Sequence, residues 1–199
     1  MSLMPRRHIL LASLLLVSVS FPLVPSRAQN QIPAKPSQRS WLQDPAVKDE
    51  YKKWLREDVA WIITDEERAD FRTLSTDKQR DEFVVAFWDR RNPTPGATEN
   101  KFKEEHYRRL AYTNTHFAVG IPGWKSDRGR IYIMYGTPDS IDSHPLSSPP
   151  SEVWHYVYIE GIGQNVVFTF FDQCRCGNFS LTDGELDSIP RTFGHKDPQ

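Results

Sequence analysis

The stretch that decides the predicted fold lies after residue 129, where apolar residues recur at every second position. Three runs there are rich in β-branched and aromatic residues: RIYIMY at residues 130–135, EVWHYVYI at residues 152–159 and NVVFTFF at residues 165–171. A period of two with intervening turn residues is typical of hairpin-linked strands. With residues 140–144 returning beside the first run, we predict an antiparallel sheet of about four strands.

The N-terminal half of the chain has the period of helices instead. Residues 64–67 (TDEE) and 76–79 (TDKQ) each have the pattern of a capping box at a helix start. A further helix is expected over residues 99–117, and the earliest one begins with Asp44 as its N-cap. Six apolar residues of that earliest helix recur at helical spacing: Val47, Tyr51, Trp54, Leu55, Val59 and Ile62. About four helices packed on a C-terminal antiparallel sheet define an α+β protein rather than a βαβ fold.

Residues 1–28 have the pattern of an export signal. Two arginines precede an apolar run at residues 9–19, and small residues stand at the −3 and −1 positions of a cleavage site after Ala28. The run is shorter than the roughly 20 residues that span a bilayer. We therefore expect cleavage after Ala28, no stable membrane anchor, and a periplasmic or secreted product. The pattern leaves open whether export is general or follows the twin-arginine route.

The remaining chain divides into a leader and one domain. Residues 29–43 are mostly polar and contain prolines, which predicts a flexible leader. Residues 44–199 are expected to form a single domain, with a helical part at 44–118 and a sheet part at 123–182. Of the 199 residues, 38% are hydrophobic and 12% aromatic, which is enough to form a core.

The charge of the chain argues against one class of partner. The predicted signal carries three arginines and no acid, so its removal changes the formal net charge from −1 to −4. A protein that binds nucleic acid through bulk charge is basic. We therefore expect no nucleic-acid partner.

Cys174 and Cys176 are the only cysteines of the chain. Three interpretations stay open: free or locally oxidised thiols in a loop, a redox or intermolecular pair, and half of a metal site. A bridge between residues two apart closes a very small ring. We expect such a bridge to be more easily reduced than an ordinary structural disulfide.

The loop GWKSDRGR at residues 123–130 combines glycines with an aromatic residue and charges. Its glycines allow positive φ or close backbone approach, and Trp124 supplies a large ring for burial. Asp127 can form charge-assisted hydrogen bonds with Arg128 and Arg130. The loop is thus either a structural corner or a rigid support for ligand-binding residues. Six residues are candidates for binding: Trp124, Asp127, Arg128, Arg109, Trp154 and Tyr156.

This loop and an ordered set of other motifs resemble the bacterial GWxTD domain family. The other motifs are FWxRRxPTPG at residues 87–96, NxF at 100–102, ExYxR at 105–109, YGxPD at 135–139 and EVWxY at 152–156. Ser126 stands where the family has threonine, and Asn92 stands where an acid is expected. The resemblance covers nearly the whole predicted mature chain. It implies an exported bacterial protein of largely uncharacterised function, and it supplies no catalytic residues.

Two polar clusters have side chains suited to catalysis or metal binding. Glu105, His106 and Arg109 lie close together on the helix predicted over residues 99–117. They form either a buried polar network or, with Asp127, the groups of a general acid-base site. A second cluster, of acids and imidazoles, offers candidates for metal ligands: Asp139, Asp142 and His144, with His155 on a neighbouring strand. We expect neither a metal nor another cofactor.

The functional prediction follows from these candidates and from aromatic residues of the predicted sheet. Trp154 and Tyr156 alternate onto one sheet face, which is either packed in the core or available to an envelope protein or a glycan. We expect a non-enzymatic binding or assembly module of the cell envelope. The alternative is a small envelope hydrolase that uses Glu105, His106 and Asp127.

Overall fold

Six α-helices precede a four-stranded sheet in the computed structural model, which describes residues 38–181. The helices are α1 (Gln38–Gln43), α2 (Asp49–Lys53), α3 (Asp65–Thr73), α4 (Asp77–Arg91), α5 (Lys101–His116) and α6 (Asp127–Tyr135). A π-helical turn at Trp54–Asp58 extends α2, and a 3-10 turn at Gly123–Lys125 precedes α6. The predicted signal peptide and its cleavage site lie outside the described residues.

The sheet is antiparallel throughout and follows the chain. Its strands are β1 (Ser140–His144), β2 (Ser151–Ile159), β3 (Gly163–Phe171) and β4 (Ser180–Leu181), in the order β1-β2-β3-β4. Trp154 of β2 pairs with Ile141 of β1 on one side and with Phe168 of β3 on the other. The predicted α+β class, with helices before an antiparallel sheet of about four strands, is confirmed.

The first of two large apolar clusters holds the N-terminal helices together, and we call it the helical core. The six apolar residues that recur at helical spacing from Val47 to Ile62 are all buried in it. Phe71 lies at its centre, where four aromatic rings surround it with centroids 4.9 to 6.4 Å away: Trp41, Tyr51, Trp54 and Phe83. Both predicted capping boxes are present, at Thr64 and Thr76.

Two predicted boundaries in this half are wrong. Asp44 does not cap a helix, because its side chain accepts a hydrogen bond from the Ala46 N–H in a turn, and α2 begins only at Asp49. The predicted leader at residues 29–43 ends in α1, and the Trp41 ring packs against Phe71. Residues 38–43 therefore belong to the folded part of the chain.

Residues 130–135, which we predicted to be a strand, form the last two thirds of α6. That prediction is wrong. Ser126 caps this helix, and Ile131, Tyr132, Ile133 and Met134 are all buried around it. A helix that is apolar on all sides has no polar face to reveal its 3.6-residue period. Burial between α5 and the sheet thus outweighs the β propensity of these residues.

The second apolar cluster, the sheet core, lies between α6 and the inner face of the sheet. Its members are Ile131, Tyr132, Met134, Trp154, Tyr156, Ile159, Phe168, Phe170 and Leu181. The opposite face of β2 and β3 is turned outward, and Val157 and Val167 are 65% and 44% exposed there. No helix within residues 38–181 is long and apolar enough to cross a membrane.

Candidate functional site

We call residues 123–130 the motif corner, because they turn the chain from α5 into α6 with almost no space between backbones. A Cβ atom on Gly123 would lie 1.8 Å from the Thr113 carbonyl oxygen of α5. A Cβ atom on Gly129 would lie 1.9 Å from the carbonyl oxygen of Gly123. Only glycine allows both approaches, so the two glycines are required for backbone packing.

Ser126 and Trp124 fix the turn between these glycines. The Ser126 hydroxyl accepts from the Gly129 N–H at 3.0 Å and donates to the Gly123 carbonyl at 2.8 Å. Trp124 is 6% exposed, and its backbone carbonyl accepts a 2.7 Å hydrogen bond from the Trp61 indole N–H. The serine hydroxyl thus caps α6, and Trp124 is a buried residue of the corner.

Asp127 connects the start of α6 to the edge of the sheet. Its Oδ2 accepts a 2.9 Å hydrogen bond from the backbone N–H of Leu181 in β4. We expected Arg128 and Arg130 as its partners, but Arg128 pairs with Glu152 instead. The carboxylate instead uses the edge strand, whose free N–H groups need acceptors, and it stands at the positive end of the helix dipole.

Arg128 reaches from α6 across the neighbouring elements. Its Nη1 donates to both carboxylate oxygens of Glu152 at 3.2 and 3.3 Å, and its Nη2 donates to the Gly177 carbonyl at 3.0 Å. The guanidinium carbon lies 4.9 Å from the ring centroid of Phe117 and 4.4 Å from that of Phe179. These contacts combine an ion pair with stacking on two rings, so the side chain ties α6 to β2 and to the β3-β4 loop.

His106 lies in a different place, at the contact between α5 and the end of the π-helical turn. It is 3% exposed, and its Nε2 is 2.6 Å from the Asp58 carbonyl oxygen. Because a carbonyl can only accept, Nε2 carries a proton and donates it. Burial lowers the pKa of His106, so the ring is neutral near pH 7.

Glu105 is held by its own helix. Arg109 Nε donates to it at 2.7 Å and Arg108 at 2.8 Å. Partial burial alone would raise the pKa of Glu105, but the hydrogen bonds from the two arginines outweigh it and lower the pKa. Arg109 also donates to the Ile133 carbonyl near the end of α6. Glu105 therefore neutralises Arg109, which packs against α6, together with the exposed Arg108.

The three catalytic candidates do not converge. Asp127 is the first residue of α6, whereas the Glu105-Arg109 pair contacts the far end of that helix. Asp127 and Ile133 are six residues apart, which is roughly 9 Å along the helix. His106 faces the π-helical turn instead. Within residues 38–181, each of the three groups has a partner inside the fold.

The metal-ligand candidates are also used separately. Asp139 accepts from the backbone N–H of Val157, and Asp142 pairs with His155 at 3.1 Å on the outside of the sheet. His144 is exposed on β1. In the described part of the chain, these residues do not form a group of three that could hold a metal ion.

The aromatic sheet face, our candidate surface for a partner or a glycan, is turned inward. Trp154 is 1% exposed, and its indole N–H donates to Glu152. The Tyr156 hydroxyl donates to the Gly136 carbonyl at 2.9 Å, and burial raises its pKa. Both side chains belong to the sheet core, so this face is closed to a partner.

The arrangement of side chains around the two cysteines was not predicted from the sequence. Cys174 and Cys176 are bonded to each other, which agrees with a locally oxidised pair. Asp172 is 4% exposed, and its two oxygens accept from the backbone N–H groups of Cys176 and Gly177. Its position two residues before the first cysteine was the signal that could have drawn attention to it.

The geometry so far defines a class: an α+β protein in which a corner of closely packed glycines joins α5 and α6, with an antiparallel sheet packed on α6. A family model described as the GWxTD domain matches residues 43–185, which is more than half of the chain. The chain therefore belongs to the GWxTD domain family. Neither a curated protein nor a solved structure matches it significantly.

Proposed function

We propose that this protein is an exported, non-enzymatic binding or assembly module of the bacterial cell envelope. One observation carries the proposal: the catalytic candidates Glu105, His106 and Asp127 are bound to separate partners within the fold. A general acid-base site needs groups that reach one reacting atom. Asp127 instead connects α6 to the sheet, His106 connects α5 to the π-helical turn, and Glu105 pairs with arginines of its own helix. Such internal contacts are expected of a scaffold that presents a surface.

Export is proposed from the N-terminal sequence. Two arginines, an apolar run and small residues before position 29 have the pattern of a cleaved signal. A cleaved product would lie in the periplasm or outside the cell. Mass spectrometry of the periplasmic and extracellular fractions tests this, since the expected N-terminus is Gln29 and an intact N-terminus on membrane-bound protein would contradict it.

The binding surface that we propose is the outward side of β2 and β3, which we call the outer sheet face. Residues Val153 and Thr169 pair across it, as do His155 and Val167. Val157 stands beside them and is 65% exposed. The exposed side chains there are largely aliphatic, and exposed apolar patches are typical of protein-protein contacts. We therefore favour an envelope protein over a glycan as the partner.

A pair of matched variants tests this surface. Immobilised wild-type protein and Val157→Lys are compared for the proteins that they retain from an envelope extract. Val85→Lys is the control, because Val85 is 60% exposed on α4, whose buried apolar residues belong to the helical core. We expect the Val157→Lys variant to retain at least about tenfold less of the partner protein than the wild type, since a buried lysine charge is costly at an interface. The Val85→Lys variant should retain as much as the wild type. Equal retention by all three would contradict the proposed surface.

The alternative hydrolase has no convergent site among residues 38–181. It would be restored by one result: hydrolysis of an envelope glycan or ester by the purified protein, lost in Glu105→Gln or Asp127→Asn while the fold is retained. Asp142→Asn is the control, because Asp142 is an exposed acid on β1 outside the three candidates.

A further inference from the structure

The loop between β3 and β4 carries chemistry that the proposed binding function does not use. The two cysteines of the disulfide are exposed, whereas Asp172 beside them is buried. Cys174 Sγ lies 3.3 Å from Asp172 Oδ1. We propose that Cys174 and Cys176 form a reversible thiol-disulfide exchange site, in which Asp172 accepts the proton of Cys174.

The contact between sulfur and carboxylate is the observation behind this proposal. A disulfide sulfur carries no hydrogen, so the 3.3 Å contact is not a hydrogen bond in the oxidised protein. After reduction, the Cys174 thiol can donate to Asp172 without any movement of the carboxylate. The backbone N–H groups of Cys176 and Gly177 hold that carboxylate in place, so the loop has an acceptor already positioned for the reduced state.

The loop is also fixed at points that do not involve sulfur. The Asp172 N–H donates to the Pro150 carbonyl, and the Gly177 carbonyl accepts from Arg128. These bonds are independent of the bridge. We therefore expect the fold to persist when the bridge is reduced, which reversible exchange requires.

The geometry assigns different roles to the two sulfurs. The Asp172 carboxylate lies 3.3 Å from the Cys174 sulfur and within 4.8 Å of the Cys176 sulfur. It therefore disfavours the Cys174 thiolate more strongly, and Cys176 is the nucleophile of the reduced pair. Its thiolate attacks a disulfide such as oxidised glutathione, and one glutathione leaves as a thiolate that takes a proton from water. Cys174 then passes its proton to Asp172 and attacks the Cys176 sulfur, and the second glutathione leaves and is protonated from Asp172 through solvent. The dithiol is oxidised by two electrons, and one disulfide becomes two thiols.

Exchange with glutathione tests the proposal on the purified protein. The native chain is equilibrated in buffers of reduced and oxidised glutathione, quenched with acid and alkylated, and its thiols are counted by mass spectrometry. We expect reduction and reoxidation without denaturant and with an unchanged circular dichroism spectrum. A bridge that is reduced only after unfolding would be a structural disulfide and would overturn the proposal.

Single-cysteine variants test the two roles. With oxidised glutathione, we expect Cys174→Ser to trap glutathione on Cys176 at least about tenfold faster than Cys176→Ser traps it on Cys174. We also expect Cys174 to be alkylated only at higher pH than Cys176. Equal rates and equal pH profiles would overturn the assignment, and these variants leave Asp172 intact.

The carboxylate itself is tested in the Cys176→Ser background. Asp172→Asn removes the negative charge beside Cys174, so we expect its alkylation profile to move to lower pH. Asp142→Asn removes an exposed acid of β1 and should leave the profile unchanged. If Asp172→Asn does not fold, the difference between the Cys174 and Cys176 profiles decides the question. This test is independent of partner binding, so it can fail or succeed whatever the outer sheet face does.

Discussion

The helical core and the motif corner are held together in different ways. In the helical core, large rings contact one another at centroid distances of about 5 to 6 Å, and Phe71 alone contacts four of them. In the motif corner, backbones touch, and the polar side chains of Ser126 and Arg128 are buried with their partners. In a core of packed rings, the stability lost on substitution depends on how much of the ring is removed, because neighbours can partly relax around a smaller side chain. Where two backbone segments touch and leave no room for a methyl group, they cannot relax in this way and must separate.

The sharpest test of this difference is Gly123→Ala. The new methyl group would lie 1.8 Å from a backbone oxygen of α5, so α5 and the corner must separate. We expect the free energy of unfolding to fall by more than about 4 kcal/mol, or cooperative unfolding to be lost. Gly161→Ala is the control, because no atom lies within 4 Å of its Cβ position and only its φ of +81° is unfavourable. A similar loss of about 1 kcal/mol in both variants would contradict a rigid corner.

The next effect belongs to the helical core. Phe71→Ala should lower the free energy of unfolding by about 3 to 5 kcal/mol, because it removes a fully buried ring from among four others. Phe71→Leu keeps most of the volume and should cost less than about 1.5 kcal/mol. Chemical denaturation of both variants measures the two losses in the free energy of unfolding. A leucine variant as unstable as the alanine variant would show that this core is as rigid as the corner.

The same difference explains which elements the sequence reveals. The capping boxes at Thr64 and Thr76 are local hydrogen-bond patterns, and the buried stripe from Val47 to Ile62 is a local spacing. These were predicted. The helix α6 depends on contacts with α5 and the sheet, which are distant in sequence. Only Ser126, three residues before Gly129, marked its start.

The candidate site was predicted in part. The charged residues of the motif corner were recognised, as was the possibility that they form a structural corner. Their partners were not, because the Leu181 N–H, the Gly177 carbonyl and Glu152 come from the far end of the chain. A sequence motif identifies which groups need partners, but the partners depend on tertiary structure.

A smaller effect is expected where the corner has charge. Arg128→Lys should cost about 2 kcal/mol, since lysine keeps the charge but not the planar group that contacts Glu152, Gly177 and two rings. Arg128→Met, Glu152→Gln and the double variant form a thermodynamic cycle, because each single change removes one charge of the ion pair. Because the two side chains share one ion pair, their costs should fall short of additivity by about 1 kcal/mol. Additive costs would show that the pair is not coupled and that stacking alone holds Arg128.

The smallest effect comes from the His106 imidazole, which packs against the helical core, and it depends on pH. The His106 ring lies 5.4 Å from Trp88, and burial lowers its pKa below the ordinary 6.5. Below pH 6.5 His106 therefore binds a proton in the unfolded chain while it stays neutral in the folded protein. Stability from this residue is complete above that pH and is lost as the pH falls toward the folded-state pKa, by at most about 1.4 kcal/mol per pH unit.

His106→Gln isolates this term, because glutamine keeps a donor for the Asp58 carbonyl and has no proton to gain in this range. The free energy of unfolding is measured at pH 7.5 and pH 5.5 in the variant and the wild type. The wild type should lose more stability between the two, whatever the fixed cost of the substitution. Equal losses would mean that the folded ring accepts the proton as readily as the unfolded one. The imidazole would then have to be open to solvent, and the general acid-base role of this residue would have to be reconsidered.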